Sequence, residues 1–568
     1  MTGTDLAMLS RTVVHLRPGQ VAYRARLRTQ QAVLRRFPET GRWVFSGPAL
    51  PAAGWPDVFL PVDARTPGRW PDLTELRAGK VRLLGLARDL GDEANWEHAD
   101  APRLWRFHLH YWDWAWGLAA DVDRLAARST FARLWRSWQS STGFAHLDAW
   151  HPYPAALRAW SFCGMHRSLV AGSDIEHGFV TSLATHAKFL RRHLEYDVCG
   201  NHLIKDLKAL AGLAVFFSDG PLLRLAVRRL AKQAETQVLA DGGHYERSPA
   251  YHCQVLADLI DVTGLLQAAG LVPASELTAA VNRMRHWLGA VLTPDGQVPL
   301  LNDGYPVDGE LIAALRPGPA PSGPLLVLAD TGLVRAVAGD WHLLADVGLP
   351  CPPSLPGHAH ADTFGCVVHV GGVPLLIDTG TSTYEPGQVR CYERSTAAHS
   401  TVQVDGADST EVWGVFRAAR RARVSGLAVR ADASGLSCEA VHDGFRRLPG
   451  RPLHRRRWLL TEDGLRVDDL VAGRGPHEIV IRWQLAAGSA VRLADGSAQV
   501  TGPAGAFHVA VESTSPVLLA ADTGQVATGF CCTADAPVFT CRMDVSLPAQ
   551  ISTSWTRARG RAGGEERT

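Results

Sequence analysis

The segment GHAHAD at residues 357–362, Asp378 in LLIDTG and His399 in RSTAAHST bring three imidazoles and two carboxylates into one short stretch of β-like runs. Zinc favours tetrahedral sites built from histidine nitrogen and aspartate oxygen, and His360, Asp378 and His399 would supply three such ligands. His358 is then left beside the metal and free for acid–base work, because imidazole titrates near neutrality. The alternative is that these are separate polar residues in loops.

Two further segments, in the first half of the chain, carry groups of the same kind. In CGNHLIKDLKAL, Asn201 and His202 fall where Gly200 ends one element and a helix begins. Asn201 fits an N-cap, and a helix N-terminus favours an anion, so the amide and the imidazole could together hold a substrate carboxylate. In DGGHYERSPAYH, a glycine pair frees the backbone before Glu246 and Arg247, and Tyr251 follows on the first turn of a helix. Tyr251 is a candidate acid or base. Since a phenol ordinarily titrates near 10, it would need cationic or metal-supported neighbours to work; otherwise it is a packing residue.

The elements that must position these groups are of two kinds. Apolar residues recur at helical spacing over 181–194, 202–217, 222–239, 251–269 and 275–292, with Gly, Pro and Asp at the breaks. Sequential helices joined by short turns pair antiparallel, so this half reads as an (α/α) toroid of helical hairpins over 101–320, after a mixed segment at 1–100. Past the Pro/Gly-rich RPGPAPSGP the pattern becomes short strands with Gly371-Gly372 and Asp463-Gly464 at hairpin turns. That predicts an antiparallel β-sandwich over 321–555, followed by a disordered tail at 556–568.

Composition narrows the function classes. A chain of 568 residues with 46% hydrophobic and 20% charged residues is that of a multidomain globular protein. The formal charge of +2 argues against nucleic acid as the main partner. No apolar run is long enough for a membrane span, and the N-terminus lacks the apolar core of a signal peptide. The ten cysteines show no zinc-finger spacing and read as buried thiols. Tryptophan is abundant at 18 residues; most are expected in the core, with a minority stacking on sugar.

NHLIKDLKAL, DGGHYERSPAYH, GHAHADTFGCVVHVGGVPLLIDTGTSTYEPG and RSTAAHSTVQVDG, in this order, resemble the heparinase II/III superfamily of polysaccharide lyases, from about Trp105 to beyond Trp413. The resemblance implies an (α/α) toroid followed by an antiparallel β-sandwich, and β-elimination at a uronic acid of an acidic polysaccharide. It implies that Asn201 and His202 neutralise the uronate carboxylate, that Tyr251 is the acid and for one epimer also the base, and that His358 is the base for the other epimer or a helper. His360, Asp378 and His399 match the zinc ligands, the zinc being structural. Tyr384, Arg390 and Arg394 are expected substrate contacts with Glu246 and Arg247, since arginine forks suit carboxylate and sulfate.

Two other readings stand beside the lyase. A glycoside hydrolase would need two carboxylates flanking the cleft, for which Glu246 and Asp303 are the pair available. A non-catalytic carbohydrate-binding or exopolysaccharide-assembly protein would keep the scaffold without the chemistry. Family lyases are usually exported, and with no signal peptide evident the expected compartment is the cytoplasm, or the envelope or exterior by an unrecognised route.

Overall fold

Where apolar residues repeat at intervals of three and four, the chain is helical. In the computed structural model, which describes residues 3–46, 51–91 and 94–558, the helices run Glu176–Arg192, Gly200–Phe216, Gly220–Gln237, Pro249–Ala268 and Ser275–Val291. Each lies within a few residues of the range its periodicity predicts. Gly200–Phe216 is the central helix, with 14 of its 17 residues buried, as an element apolar nearly all round must be. It packs against Pro152–Met165, Gly220–Gln237 and Pro249–Ala268. Gly212 permits one of these contacts: a Cβ there would meet Trp160 at 2.8 Å and Trp55 at 2.9 Å. Lys208, on the same helix, ties it to its neighbour through Asp258 at 2.9 Å and Asp261 at 2.6 Å.

The tryptophans of HYWDWAW serve the core. Trp112, Trp114 and Trp116 are buried in it, which answers the sugar-stacking expectation for this motif. The mixed first segment has helices Gly3–Val13, Pro18–Arg36 and Pro38–Phe45, then loops, a short helix Leu73–Arg77 and a hairpin of Lys80–Leu83 and Leu86–Asp89. No described helix is long and apolar enough to cross a membrane. The tail from residue 559 onward lies outside the described residues.

From Leu325 the chain is sheet. A five-stranded antiparallel meander runs from Leu325–Leu328 to Val373–Leu376, an eight-stranded sheet carries Leu453–Leu460 beside Gly464–Ala472, and a four-stranded sheet carries Pro476–Gln484 beside Cys532–Ser546. Alternation decides which side faces in: along Gly464–Ala472 the odd-numbered residues from Leu465 to Val471 are buried and the intervening ones less so. Residues of all three sheets, among them Trp341, Trp458, Trp483 and Phe539, share one core. A smaller core joins Trp287, Val291 and Leu301 of the helical half to Leu333, Leu344 and Val367 of the sheets. The ten cysteines are free thiols, six of them buried.

Candidate active site

The site lies at the seam between the halves and begins with a helix start. Gly200 takes φ +58°, and a Cβ there would lie 2.4 Å from Glu246 Oε1. This close approach lets the backbone N–H of Asn201 donate to Glu246 Oε1 at 2.7 Å, with Asn201 Nδ2 donating to the same oxygen at 3.1 Å. The expectation for Asn201 is thereby corrected. Cys199 occupies the cap position, and the anion at this N-terminus is the protein's own Glu246, supplied by the loop before Pro249–Ala268.

Glu246 also meets the sheet half. Its Oε2 lies 3.0 Å from His358 Nε2, and His358 Nδ1 lies 2.9 Å from Asp303 Oδ2. Burial opposes the imidazolium charge, but the two carboxylates hold the His358 ring protonated up to about 9. Burial likewise opposes the charge on Glu246, yet His358 and the donors around it hold that carboxyl at about 2. Asp303 is the hub of the seam. Arg390 grips it at both oxygens, one contact measuring 2.5 Å and the other 3.0 Å, and His360 Nε2 and Thr381 Oγ1 reach Oδ1 at 2.9 and 3.0 Å. Burial acts against its charge, and Arg390 with the histidines overrides that, keeping the carboxyl well below the usual range.

Tyr251 stands on this base. Its ring lies over His358, centroids 3.9 Å apart and planes at 30°, a distance between halves that no sequence spacing reports. Its hydroxyl is 2.8 Å from that of Tyr384. Burial and the adjoining Tyr384 phenol push the Tyr251 hydroxyl well above its ordinary value, so it carries its proton. Tyr384 lies under the Arg390 guanidinium at 4.9 Å. Phe530, at the tip between strands Leu518–Gly529 and Cys532–Ser546, packs on Tyr384 at 5.2 Å and on Tyr305 at 5.1 Å.

His202, half-buried, faces the cleft from the helical side. Both oxygens of Glu195 lie 3.2 Å from its Nδ1, and its ring rests 4.2 Å from that of Tyr153. Its Nε2 has no protein hydrogen-bond partner among the described residues. A cavity of about 590 Å³ lies elsewhere in the helical half, lined by Arg69, Trp70, Asp72, Glu75 and Arg82.

Several expected roles change. Arg390 and Arg394 are buried; besides gripping Asp303, Arg390 donates to Val415 O, and Arg394 donates to the backbone oxygens of Ala359, Gly414 and Arg417. Arg247 is spent on the carbonyls of Asp330 and Thr331. These guanidiniums are turned to protein oxygens rather than presented to a ligand, and Arg247 Nε is buried without a partner. The hydrolase pair is also corrected. Glu246 and Asp303 are buried on either side of one imidazole, so they do not flank an open cleft.

The three zinc candidates are neighbours without forming a finished site. Asp378 Oδ2 lies 2.9 Å from His399 Nδ1, and the rings of His360 and His399 are 5.3 Å apart. His360 Nδ1, His399 Nε2 and both oxygens of Asp362 are buried without hydrogen-bond partners. In kind these donors suit zinc, although among the described residues no three His, Cys, Asp or Glu are gathered to hold a metal ion.

Sequence reasoning missed Glu195, Tyr153 and Tyr305, and saw Asp303 in another role. Glu195 lies seven residues before His202, a spacing that spans a break between helices and so carries no periodic signal.

A helical array closed against antiparallel sheets, with tyrosine, histidine and asparagine gathered at the seam, is the architecture of a two-domain polysaccharide lyase. The family model "heparinase II/III N-terminus" matches residues 86–316, and "heparinase II/III-like, C-terminal" matches residues 320–549. The chain belongs to the heparinase II/III superfamily. It is 27% identical over 411 residues, 70% of each chain, to FtsZ-localized protein C of Caulobacter vibrioides. It is 23% identical over 367 residues, 56% of this chain and 54% of the relative, to the heparin-sulfate lyase of Pedobacter heparinus. The crystal structure of heparinase III superposes with a TM-score of 0.73 at 14% identity, covering 95% of this chain and 92% of that one, a likeness of fold.

Proposed function

We propose that the chain is a polysaccharide lyase that cleaves a uronic-acid-containing polymer by β-elimination. The observation that carries this reading is Tyr251, a protonated phenol whose ring rests on a doubly ion-paired imidazolium and whose hydroxyl meets a second phenol. In the reaction the C5 proton leaves to a base, its electrons form the C4–C5 double bond, the C4–oxygen bond breaks, and the leaving oxygen takes a proton. No water is consumed. The uronate carboxylate must be neutralised for C5 to be acidic enough. His202 has a ring nitrogen, Nε2, without a protein partner among the described residues, whereas the Asn201 amide is held by Glu246.

With both nitrogens committed to carboxylates, His358 supports Tyr251 rather than taking the C5 proton. Tyr251 must first give up its phenolic proton; as phenolate, resting on the His358 ring, it takes the proton from C5 and returns it to the leaving oxygen on the same side of the sugar. The Glu195 carboxylate keeps the His202 ring oriented. The acidic polymer follows from the uronate chemistry. A structural zinc on His360, Asp378 and His399 is part of the same proposal; it would fix the cleft floor, and no step runs through it.

The test is a panel of uronic-acid polymers followed by near-ultraviolet absorbance, which the conjugated product should raise. Silence across the panel overturns the lyase. A product mass with water added would mean hydrolysis.

One observation favours a second reading. The relative with the higher identity, FtsZ-localized protein C, is named for its location and not for a reaction, which supports a non-catalytic carbohydrate-binding or exopolysaccharide-assembly protein that keeps the scaffold. Polymer binding without cleavage, equally strong in wild type and Tyr251→Phe, would establish it.

A further inference from the structure

The first three helices differ in chemistry from the rest of the chain. Residues 1–46 hold eight arginines, no lysine, and only Asp5 and Glu39 as acids, in a chain whose formal charge is +2; the remainder is therefore net acidic. Ten of the 22 large hydrophobic side chains exposed among the described residues precede residue 61. Charge and exposed apolar surface thus concentrate in the same short segment, at the opposite end of the sequence from the sheets.

The face is defined by how Pro18–Arg36 is held. Gln20 and Leu27 are its buried residues, and Gln20 Nε2 donates to the carbonyls of Asp197 and Ser354 on the body of the protein. Helical periodicity puts Thr29 and Arg36 on the opposite side and runs Val21, Arg28, Ala32 and Arg35 along one flank, and all six are exposed. Arg28, Arg35 and Arg36 form no ion pair among the described residues, and Arg36 lies instead over the Phe37 ring at 5.3 Å. Helix Pro38–Phe45 buries Phe45 and leaves Trp43 80% exposed, with Val44 beside it.

Apolar side chains bare to water and flanked by unpaired guanidiniums match one environment. An indole is stable at the headgroup level of a bilayer, arginine stems lie along apolar surface while their heads stay among phosphates, and clustered basic charge is drawn to acidic lipid. We propose that the outer face of Pro18–Arg36 and Pro38–Phe45 docks on an anionic phospholipid surface, holding the cleft near a membrane that no described helix crosses. A soluble acidic polymer would account for the arginines but would give Phe37 and Trp43 nothing to enter. The proposal holds whatever chemistry the cleft performs.

Co-sedimentation of the full chain with vesicles tests it. Binding is expected to vesicles of phosphatidylcholine with phosphatidylglycerol and not to phosphatidylcholine alone, weakening as salt is raised. The variant Arg28→Glu/Arg35→Glu/Arg36→Glu should lose about tenfold or more in affinity, and Phe37→Ser/Trp43→Ser should lose severalfold, with circular dichroism and unfolding midpoint unchanged in both. The proposal is overturned if wild type ignores the anionic vesicles or if the charge-reversal variant binds them as wild type does. It is equally overturned if polyglutamate competes while Phe37→Ser/Trp43→Ser binds normally, which would mark a site for an acidic polypeptide.

Discussion

As phenolate, Tyr251 takes one proton and returns it within a single elimination, so removing its hydroxyl should stop the reaction without disturbing the fold. Tyr251→Phe is expected to lower turnover by ~10²–10⁴, with polymer affinity and unfolding midpoint close to wild type; equal loss of binding and stability would make Tyr251 a packing residue. Because burial and Tyr384 raise its pKa, the phenolate is scarce at neutrality, and the rate should climb as pH is raised through the alkaline range. A pH–rate profile that falls over that range would contradict the base role. Asp303 differs, since its neighbours depend on it for charge balance. Asp303→Ala would leave Arg390 buried and unpaired, at a cost of ~3–5 kcal/mol, readable in urea unfolding.

At the scale of elements, the helices were legible because burial forces apolar residues onto a 3.6-residue period, and the hairpins because Gly371-Gly372 and Asp463-Gly464 mark their turns. The hub was not legible. Asp303 meets His358 and His360 at separations of 55 and 57 residues and Arg390 at 87, and no local pattern encodes such pairings. Asn201 misled for a related reason: it looks like a cap, while the carboxylate that satisfies the helix start comes from Glu246, 45 residues on. Gly200→Ala tests that start. With φ +58° and Glu246 in the way, the variant should shift the helix N-terminus and reduce turnover more than binding, measured as kcat against KM. Within the eight-stranded sheet, Arg456 and Asp469 are paired across strands and joined by contacts of 2.7 and 2.9 Å. Burial opposes the Asp469 charge, but Arg456 and His454 hold it at about 2, below the ~3.9 of an unfolded aspartate. Its contribution of ~2–3 kcal/mol is present above pH ~4 and is lost as pH falls towards 2. Acid unfolding followed by circular dichroism should show that loss, and Asp469→Asn should flatten it.

The whole molecule makes the metal test a test of architecture. Purified protein is expected to carry one zinc, lost together with thermal stability in His399→Ala; metal absent from carefully purified wild type would remove zinc from the proposal. The clamp at the seam has a further consequence. His358 and Arg390, from the sheet half, close on Glu246 and Asp303, from the helical half, so the residues that support Tyr251 also fasten the two halves together. Neither half can let go without stranding a buried charge in the other. Melting should therefore be a single calorimetric event in the wild type and should split into two in Glu246→Gln/Asp303→Asn: the groups that set the chemistry would also make the chain one cooperative unit.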